Sequence, residues 1–141
     1  MKIAVSADSS DLNQAVNPVF GRCPGFIIIE AEGKEVKNSS FIPNSAMNAA
    51  GGAGIAAAQT VINSGVQAVI SGNFGPNAFL VLEKAGIKAY HANGITVKSA
   101  IEALADGKLS SASQPNVADR FGMGAGRGMG LGAGRGRGRQ F

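Results

Sequence analysis

Residues 64–107 alternate short apolar segments with segments of helical pattern, and this alternation limits the fold more than any other feature of the chain. Residues 67–71 (QAVIS) and 87–90 (IKAY) are typical of short buried strands. Residues 76–85 are typical of a helix that begins at a proline, and a further helix follows Thr96, a predicted N-cap. A strand–helix–strand unit of this kind predicts two parallel strands joined by a right-handed crossover.

The first half of the chain supplies three more predicted strands, at residues 2–8, 26–32 and 35–42. A Gly-Lys turn separates the second from the third, which predicts a hairpin. A helix then extends to about residue 63. We therefore expect an α/β fold of order β-β-β-α-β-α-β-α, with a mixed five-stranded sheet and helices on its faces.

The composition is that of one compact domain, with 45% hydrophobic and 16% charged residues among 141. No apolar segment is long enough to span a membrane, and the first residues lack the pattern of a signal peptide. The chain has a single cysteine, so no internal disulfide can form, which favours a reducing compartment. These features predict a cytoplasmic protein with no membrane partner.

The C-terminal segment differs from the rest, since glycine occupies every even-numbered position from 122 to 138. Residues 1–121 hold nine basic and nine acidic residues, whereas residues 122–141 hold four arginines and no acid. We expect a domain at 1–121 and a flexible Gly/Arg-rich tail at 122–141. The tail is either a solvated appendage or a contact for nucleic acid or a protein partner. The second interpretation defines an alternative function, that of an interaction module.

Residues 51–58 (GGAGIAAA) match the glycine fingerprint of dinucleotide-binding turns. That interpretation fails, because no predicted strand leads directly into the glycines and no acidic residue follows about twenty positions later. Glycines at the start of a helix still expose N–H groups that favour an anion. Gly52 and Gly54 are therefore candidate anion-binding residues, unless the glycines serve only close packing of the helix on the sheet.

Polar and small residues follow the predicted parallel strands, at positions 6–8, 71–73 and 91–94. Ligands of open α/β sheets bind at this edge, so Asn73 is a candidate donor to a ligand. Asp8 is the one acidic residue at these positions, and the chain contains one histidine and no G-x-S-x-G segment. Two-metal hydrolysis needs several carboxylates around the metals, and a serine triad needs a nucleophilic serine with a histidine base. We therefore predict a binding protein rather than an enzyme, with hydrolysis of a phosphorylated metabolite as a further alternative.

Cys23 and His91 are candidate metal ligands. Arg22 precedes Cys23, and its positive charge is expected to favour the thiolate and to act as a counter-charge for an anion. The two ligands lie far apart in the sequence, unlike the close pairs of a zinc site. They therefore suit a preassembled cluster, and the alternative is that each is a structural residue.

Four features in sequence order resemble the dinitrogenase iron–molybdenum cofactor biosynthesis family: an FGR loop, a GAG helix start, a G-x-x-G-P-x-A turn and a TV-x-x-A-I helix. The resemblance covers roughly residues 1–115. It implies a ribonuclease-H-like three-layer fold without the nuclease carboxylates, and a carrier or chaperone for anionic metal–sulfur clusters. Val19 stands where family members often have histidine directly before FGR, so one metal ligand implied by the family is absent here.

The resemblance and the residues together predict a non-catalytic protein that binds an iron–molybdenum cluster or, as in one family member, a molybdenum–copper sulfide cluster. The predicted site has four cluster-binding residues and two metal ligands, namely Arg22, Gly52, Gly54 and Asn73, with Cys23 and His91. A carrier of this kind also needs a protein that donates the cluster or accepts it.

Overall fold

The structure is a computed structural model that describes residues 1–45 and 52–112. The described residues form strands and helices in the order β1 (Lys2–Ala7), β2 (Gly25–Glu32), β3 (Glu35–Pro43), α1 (Ala53–Asn63), β4 (Ala68–Ser71), α2 (Pro76–Lys84), β5 (Lys88–His91), α3 (Val97–Ala105) and β6 (Ser110–Ser111). The strands form one mixed sheet of order β3-β2-β1-β4-β5-β6.

The sheet combines an antiparallel half with a parallel half. β1 pairs antiparallel with β2, and β2 pairs antiparallel with β3, which confirms the predicted hairpin. β1, β4 and β5 are parallel neighbours, and α2 connects β4 to β5, as the strand–helix–strand pattern predicts. The connections from α1 through α3 are short because these consecutive elements lie side by side in the sheet or on its face, whereas residues 8–24 form a longer connection between β1 and β2.

Two hydrophobic cores lie on opposite faces of the sheet, because side chains alternate along each strand. In β1, Ala4 packs with buried residues of α1 and α2, whereas Ile3 and Val5 pack with buried residues of α3. The molecule is therefore a three-layer α/β structure, with α1 and α2 on one face and α3 on the other. α1 ends at Asn63, which confirms its predicted end, and Thr96 caps α3 as predicted.

The expected count of five strands is wrong, since β6 adds a sixth at the edge of the sheet. Ser110 pairs with His91 and Ser111 pairs with Tyr90 in an antiparallel arrangement. Both serines are exposed, so their sequence carries no apolar alternation that would indicate a strand. The ribonuclease-H-like classification stays a prediction. The tail at 122–141 and its boundary at residue 121 lie outside the described residues.

No helix within residues 1–45 or 52–112 is long and apolar enough to cross a membrane.

Candidate functional site

Four strands end at one edge of the sheet, which we call the carboxyl edge. β1, β4 and β5 run parallel and end there at Ala7, Ser71 and His91. Gly25 pairs with both Ala7 and Pro43, so β3 ends at the same edge. Because α1 follows β3 and α2 follows β4, both helices begin here on the same face of the sheet. This edge is where open α/β sheets bind ligands.

A loop of residues 17–24, which we call the site loop, crosses the carboxyl edge and is anchored at its start. The Asn17 amide donates to the Ser6 carbonyl at 2.8 Å, and the Asn17 carbonyl accepts from Ser6 Oγ at 2.7 Å. Ser71 Oγ lies 2.9 Å from Ser6 Oγ, and both serines are fully buried. Buried hydroxyls need hydrogen-bond partners, and these two hydroxyls provide partners for each other. The bond from Ser6 to the Asn17 carbonyl also holds the start of the loop in place.

Two asparagine side chains hold the rest of the site loop. Asn73 Nδ2 donates to the Pro18 carbonyl at 2.9 Å. Asn44 Nδ2 donates to the carbonyls of Gly21 and Cys23 at 3.2 and 2.9 Å. The two asparagine side chains thus donate hydrogen bonds to carbonyl oxygens of the site loop. That arrangement lowers the number of carbonyl oxygens that would repel an anion at this edge.

α1 and α2 both begin on glycine. Gly52 is the N-cap of α1 in the left-handed conformation (φ 72°), and Gly75 is the N-cap of α2. Neither helix has a side-chain cap or an acidic residue in its first turn. In α3, by contrast, Thr96 Oγ1 accepts from the Ser99 amide at 3.0 Å. The first N–H groups of α1 and α2, with the helix dipoles, therefore favour an anion at this edge.

The glycines of α1 have two different roles. A Cβ atom on Gly54 would lie 3.3 Å from Ala78 Cβ, and one on Gly21 would lie 3.2 Å from Gly54 Cα. Gly54 therefore allows α1, α2 and the site loop to approach closely, as the packing interpretation holds. Gly52 has open space around it and instead provides the left-handed turn. Gly51 lies outside the described residues.

Two charged side chains, Arg22 and Asp8, lie at this part of the edge. Arg22 is exposed at the site loop, one residue from the close contact between Gly21 and Gly54. The Asp8 carboxylate follows β1 and accepts a hydrogen bond from Asn17 Nδ2 at 2.7 Å. Among the described residues, no three His, Cys, Asp or Glu side chains are grouped so that they could hold a metal ion.

Cys23 differs from its prediction. Its side chain is fully buried, and Sγ donates to the carbonyls of Phe20 and Gly25 at 3.3 and 3.2 Å. Burial and, to a lesser extent, the charge of Asp8 raise the pKa of the thiol to about 12, although backbone hydrogen bonds at Ala7, Cys23 and Gly25 oppose this shift. The expectation that Arg22 favours the thiolate is therefore wrong, since desolvation outweighs any effect of the exposed guanidinium. Ligation by Cys23 stays a prediction, and it would need the site loop to open.

His91 is half-buried at the end of β5, and its Nδ1 lies 3.2 Å from the Gly72 carbonyl oxygen. Its ring packs against Phe74 with an edge-on geometry, at a centroid distance of 5.9 Å. Phe74 in turn packs against Phe20 of the site loop at 5.3 Å. A row of rings thus connects His91 to the site loop beneath the carboxyl edge.

The structure brings most of the predicted residues to one edge. Gly54 contacts the site loop that carries Arg22, and Asn73 bonds to the same loop. His91 lies beside the loop that follows β4, whereas Cys23 points into the core. The sequence analysis missed three residues that build the site, namely Asn17, Asn44 and Gly75, and it did not predict the hydrogen bond between Ser6 and Ser71. A signal for Gly75 existed, because glycine directly before a proline at a helix start indicates an uncapped N-terminus.

Comparison with known proteins adds to this geometry. The sequence model described as dinitrogenase iron-molybdenum cofactor matches residues 1–107, about three quarters of the chain. The chain belongs to this family. The match ends two residues after α3, so it includes every element of the sheet except β6.

Alignments with individual relatives cover most of this chain. An uncharacterised protein of Methanocaldococcus jannaschii is 40% identical over 109 residues, which cover 77% of this chain and 89% of that protein. The apo form of the orange protein from Desulfovibrio gigas is 36% identical, with a TM-score of 0.77, and the match covers 82% of this chain and 96% of that one. An NMR structure from Thermotoga, provisionally described as a NifB protein, is 33% identical with a TM-score of 0.66 and coverages of 78% and 91%.

Proposed function

We propose that this family member is a non-catalytic carrier or chaperone that binds an anionic metal–sulfur cluster at the carboxyl edge. The observation that carries the proposal is the pair of helices α1 and α2, which begin there without side-chain caps or acidic residues. Gly54 and Ala78 bring the two helix starts together. Two converging helix dipoles favour an anion more than one does.

The donor set fits a preassembled cluster with negative sulfide or oxo groups. The N–H groups around Gly52 and Gly54 face those groups, and Arg22 supplies a positive charge. Asn73 acts as a positioning residue, because its side chain holds the site loop at Pro18. His91 offers the one imidazole. Cys23 supports the loop from inside, since its thiol is buried and bonded to Phe20 and Gly25.

The family description supports cargo of the iron–molybdenum type, and the proposal keeps the molybdenum–copper type as the other candidate. A cluster held by N–H groups and one cation is released more readily than one fixed by several thiolates, which suits a protein that passes it on. The proposal therefore includes a protein that donates the cluster and one that accepts it. We place this exchange in the cytoplasm, where a lone reduced cysteine is ordinary.

Anaerobic reconstitution tests the proposal. The purified chain is incubated with sulfide and either iron and molybdate or copper and molybdate, then desalted and assayed for bound metals and for charge-transfer absorption. We expect the parent protein to retain a cluster in a fixed metal ratio. Cys23→Ala should retain it as well, whereas His91→Ala should retain less. A parent protein that holds no metal after desalting would contradict the proposal.

A charge variant tests the placement of the cluster. Arg22→Gln should weaken binding about tenfold, as expected for the loss of one charge-assisted hydrogen bond of about 1.5 kcal/mol. Lys108→Gln is the matched control, because it also removes an exposed positive charge, one that lies beyond the C-terminal end of α3. Equal losses in the two variants would mean that only net charge matters, and the carboxyl edge would then not be the site.

A further inference from the structure

The protonation pattern of the His91 ring follows from its one hydrogen bond. Nδ1 lies 3.2 Å from the carbonyl oxygen of Gly72. A carbonyl oxygen only accepts, so the hydrogen bond requires a proton on Nδ1. A neutral imidazole carries one ring proton, which leaves Nε2 with a lone pair. Nε2 has no hydrogen-bond partner among the described residues.

The surroundings hold both partners of this bond in place. The backbone of His91 is fixed by its pairing with Ser71 in the parallel ladder, and its ring packs on the fully buried Phe74. Gly72 is itself buried, and a Cβ atom there would lie 2.6 Å from Pro18 Cα. The Gly72 carbonyl also accepts from Asn93 Nδ2 at 3.4 Å. The carbonyl therefore keeps a set position under the site loop.

We infer that the Gly72 carbonyl holds His91 in the Nδ1–H tautomer and so leaves the Nε2 lone pair available as a metal ligand. The role as a metal ligand rests on the proposed carrier function. Metal-binding histidines generally donate their other ring N–H to a carbonyl or carboxylate, which fixes the ring and raises its basicity. A neutral imidazole suits copper or iron. His91 then contacts a copper or iron atom of the cargo, while the N–H groups and Arg22 contact its anionic groups.

The tautomer is measured directly on the full chain without cargo. The protein is labelled with ¹⁵N-histidine, which reports on one residue because the chain has a single histidine. Long-range ¹H–¹⁵N correlation spectra are recorded at about pH 8.5, above the ordinary titration range of imidazole. We expect Nδ1 to show the shift of a protonated nitrogen and Nε2 that of an unprotonated one. Free histidine favours the opposite tautomer, so a majority of Nε2–H in the spectrum would overturn the inference.

Two variants separate the effect of the Gly72 carbonyl from general structural effects. Asn93→Ala removes the other donor to the Gly72 carbonyl and should leave the Nδ1–H tautomer in place. Gly72→Ala forces the loop away from Pro18 and should shift His91 toward the Nε2–H tautomer. If Gly72→Ala does not fold, the spectrum of the parent protein still decides the matter. A tautomer unchanged in a folded Gly72→Ala protein would count against the inference.

Loading with copper, molybdate and sulfide then separates this inference from the proposed function. A shift of the Nε2 resonance with Nδ1–H retained supports ligation by His91. A cluster that binds while Nε2 stays at its original shift overturns it. Failure of any cluster to bind contradicts the carrier function, and the tautomer of the cargo-free chain stands as a separate result.

Discussion

The Cys23 sulfur lies inside the protein, between the site loop and β2, where the thiol is more stable than the thiolate. The adjacent arginine does not change this, because its guanidinium is exposed to water while the sulfur is fully buried. Sequence proximity therefore gave the wrong charge state. The two carbonyls that accept from the thiol indicate a structural role in closing the loop.

The charge state of Cys23 predicts how stability changes at high pH. The pKa is about 12 in the folded protein and 9.0 for an ordinary thiol, so the folded state holds more protons between these values. The contribution of Cys23 to stability is complete below about pH 9 and is lost as the pH rises toward 12, by up to about 1.4 kcal/mol per unit. Urea unfolding of the parent and of Cys23→Ala from pH 7 to 11 measures this.

The two proteins share all other titrating groups, so the difference between their free energies of unfolding isolates Cys23. We expect that difference to be largest below pH 9 and to shrink as the pH rises. A difference that stays constant up to pH 11 would show that the thiol is not protected from ionisation.

At the scale of elements, helix starts decide where an anion is favoured. α3 is capped by Thr96 and its first turn is therefore satisfied, whereas α1 and α2 begin on glycines that provide no such cap. An acidic residue at the N-cap of α1 or α2 would stabilise the helix but repel an anion at the same end. A substitution of this kind therefore changes the stability of the protein and its affinity for the cluster in opposite directions.

Gly75→Asp tests this expectation. Gly75 has an extended conformation (φ −73°, ψ 167°) and open space for a side chain, so aspartate should cap α2 and raise stability by about 0.5–1 kcal/mol. The same charge should weaken cluster binding several-fold. Thr96→Asp is the matched control, because it changes the cap of α3 and should leave binding unchanged. Unaltered binding in Gly75→Asp would remove the start of α2 from the site.

The sequence predicted the elements well where periodicity is strong. The apolar run of β2 and the proline that begins α2 fix those elements with little ambiguity. β6 was missed because two exposed serines pair only through backbone atoms, and a polar dipeptide has no pattern that indicates this. Asn44 was missed for a related reason, since its buried side chain bonds to carbonyls from a loop more than twenty residues away.

At the scale of the molecule, the buried core of the described residues and the family match both end before the C-terminal segment. The buried hydrophobic residues extend from Ile3 to Ile101, and the family match ends at residue 107. The four arginines of the tail lie outside the described residues. The carrier function and the interaction-module alternative differ in what they expect of that segment.

A chain that ends at Phe121 tests the division of the molecule. We expect it to unfold at the same temperature as the full chain and to retain the cluster, because the described core is intact. A decrease of more than about 5 °C would contradict the boundary at residue 121. Binding of single-stranded RNA at low salt by the full chain, and its loss in the shortened chain, would favour the interaction module.

Mapping of backbone amides tests whether an anionic metal sulfide binds at the carboxyl edge, as we propose. Tetrathiomolybdate is titrated with copper(I) into the ¹⁵N-labelled full chain without oxygen, and backbone amide shifts are followed by NMR. We expect saturable shifts concentrated in residues 19–22, 52–55 and 73–78, with little change in α3. Saturable shifts confined to other surfaces, or no saturable shifts at all, would contradict the proposal.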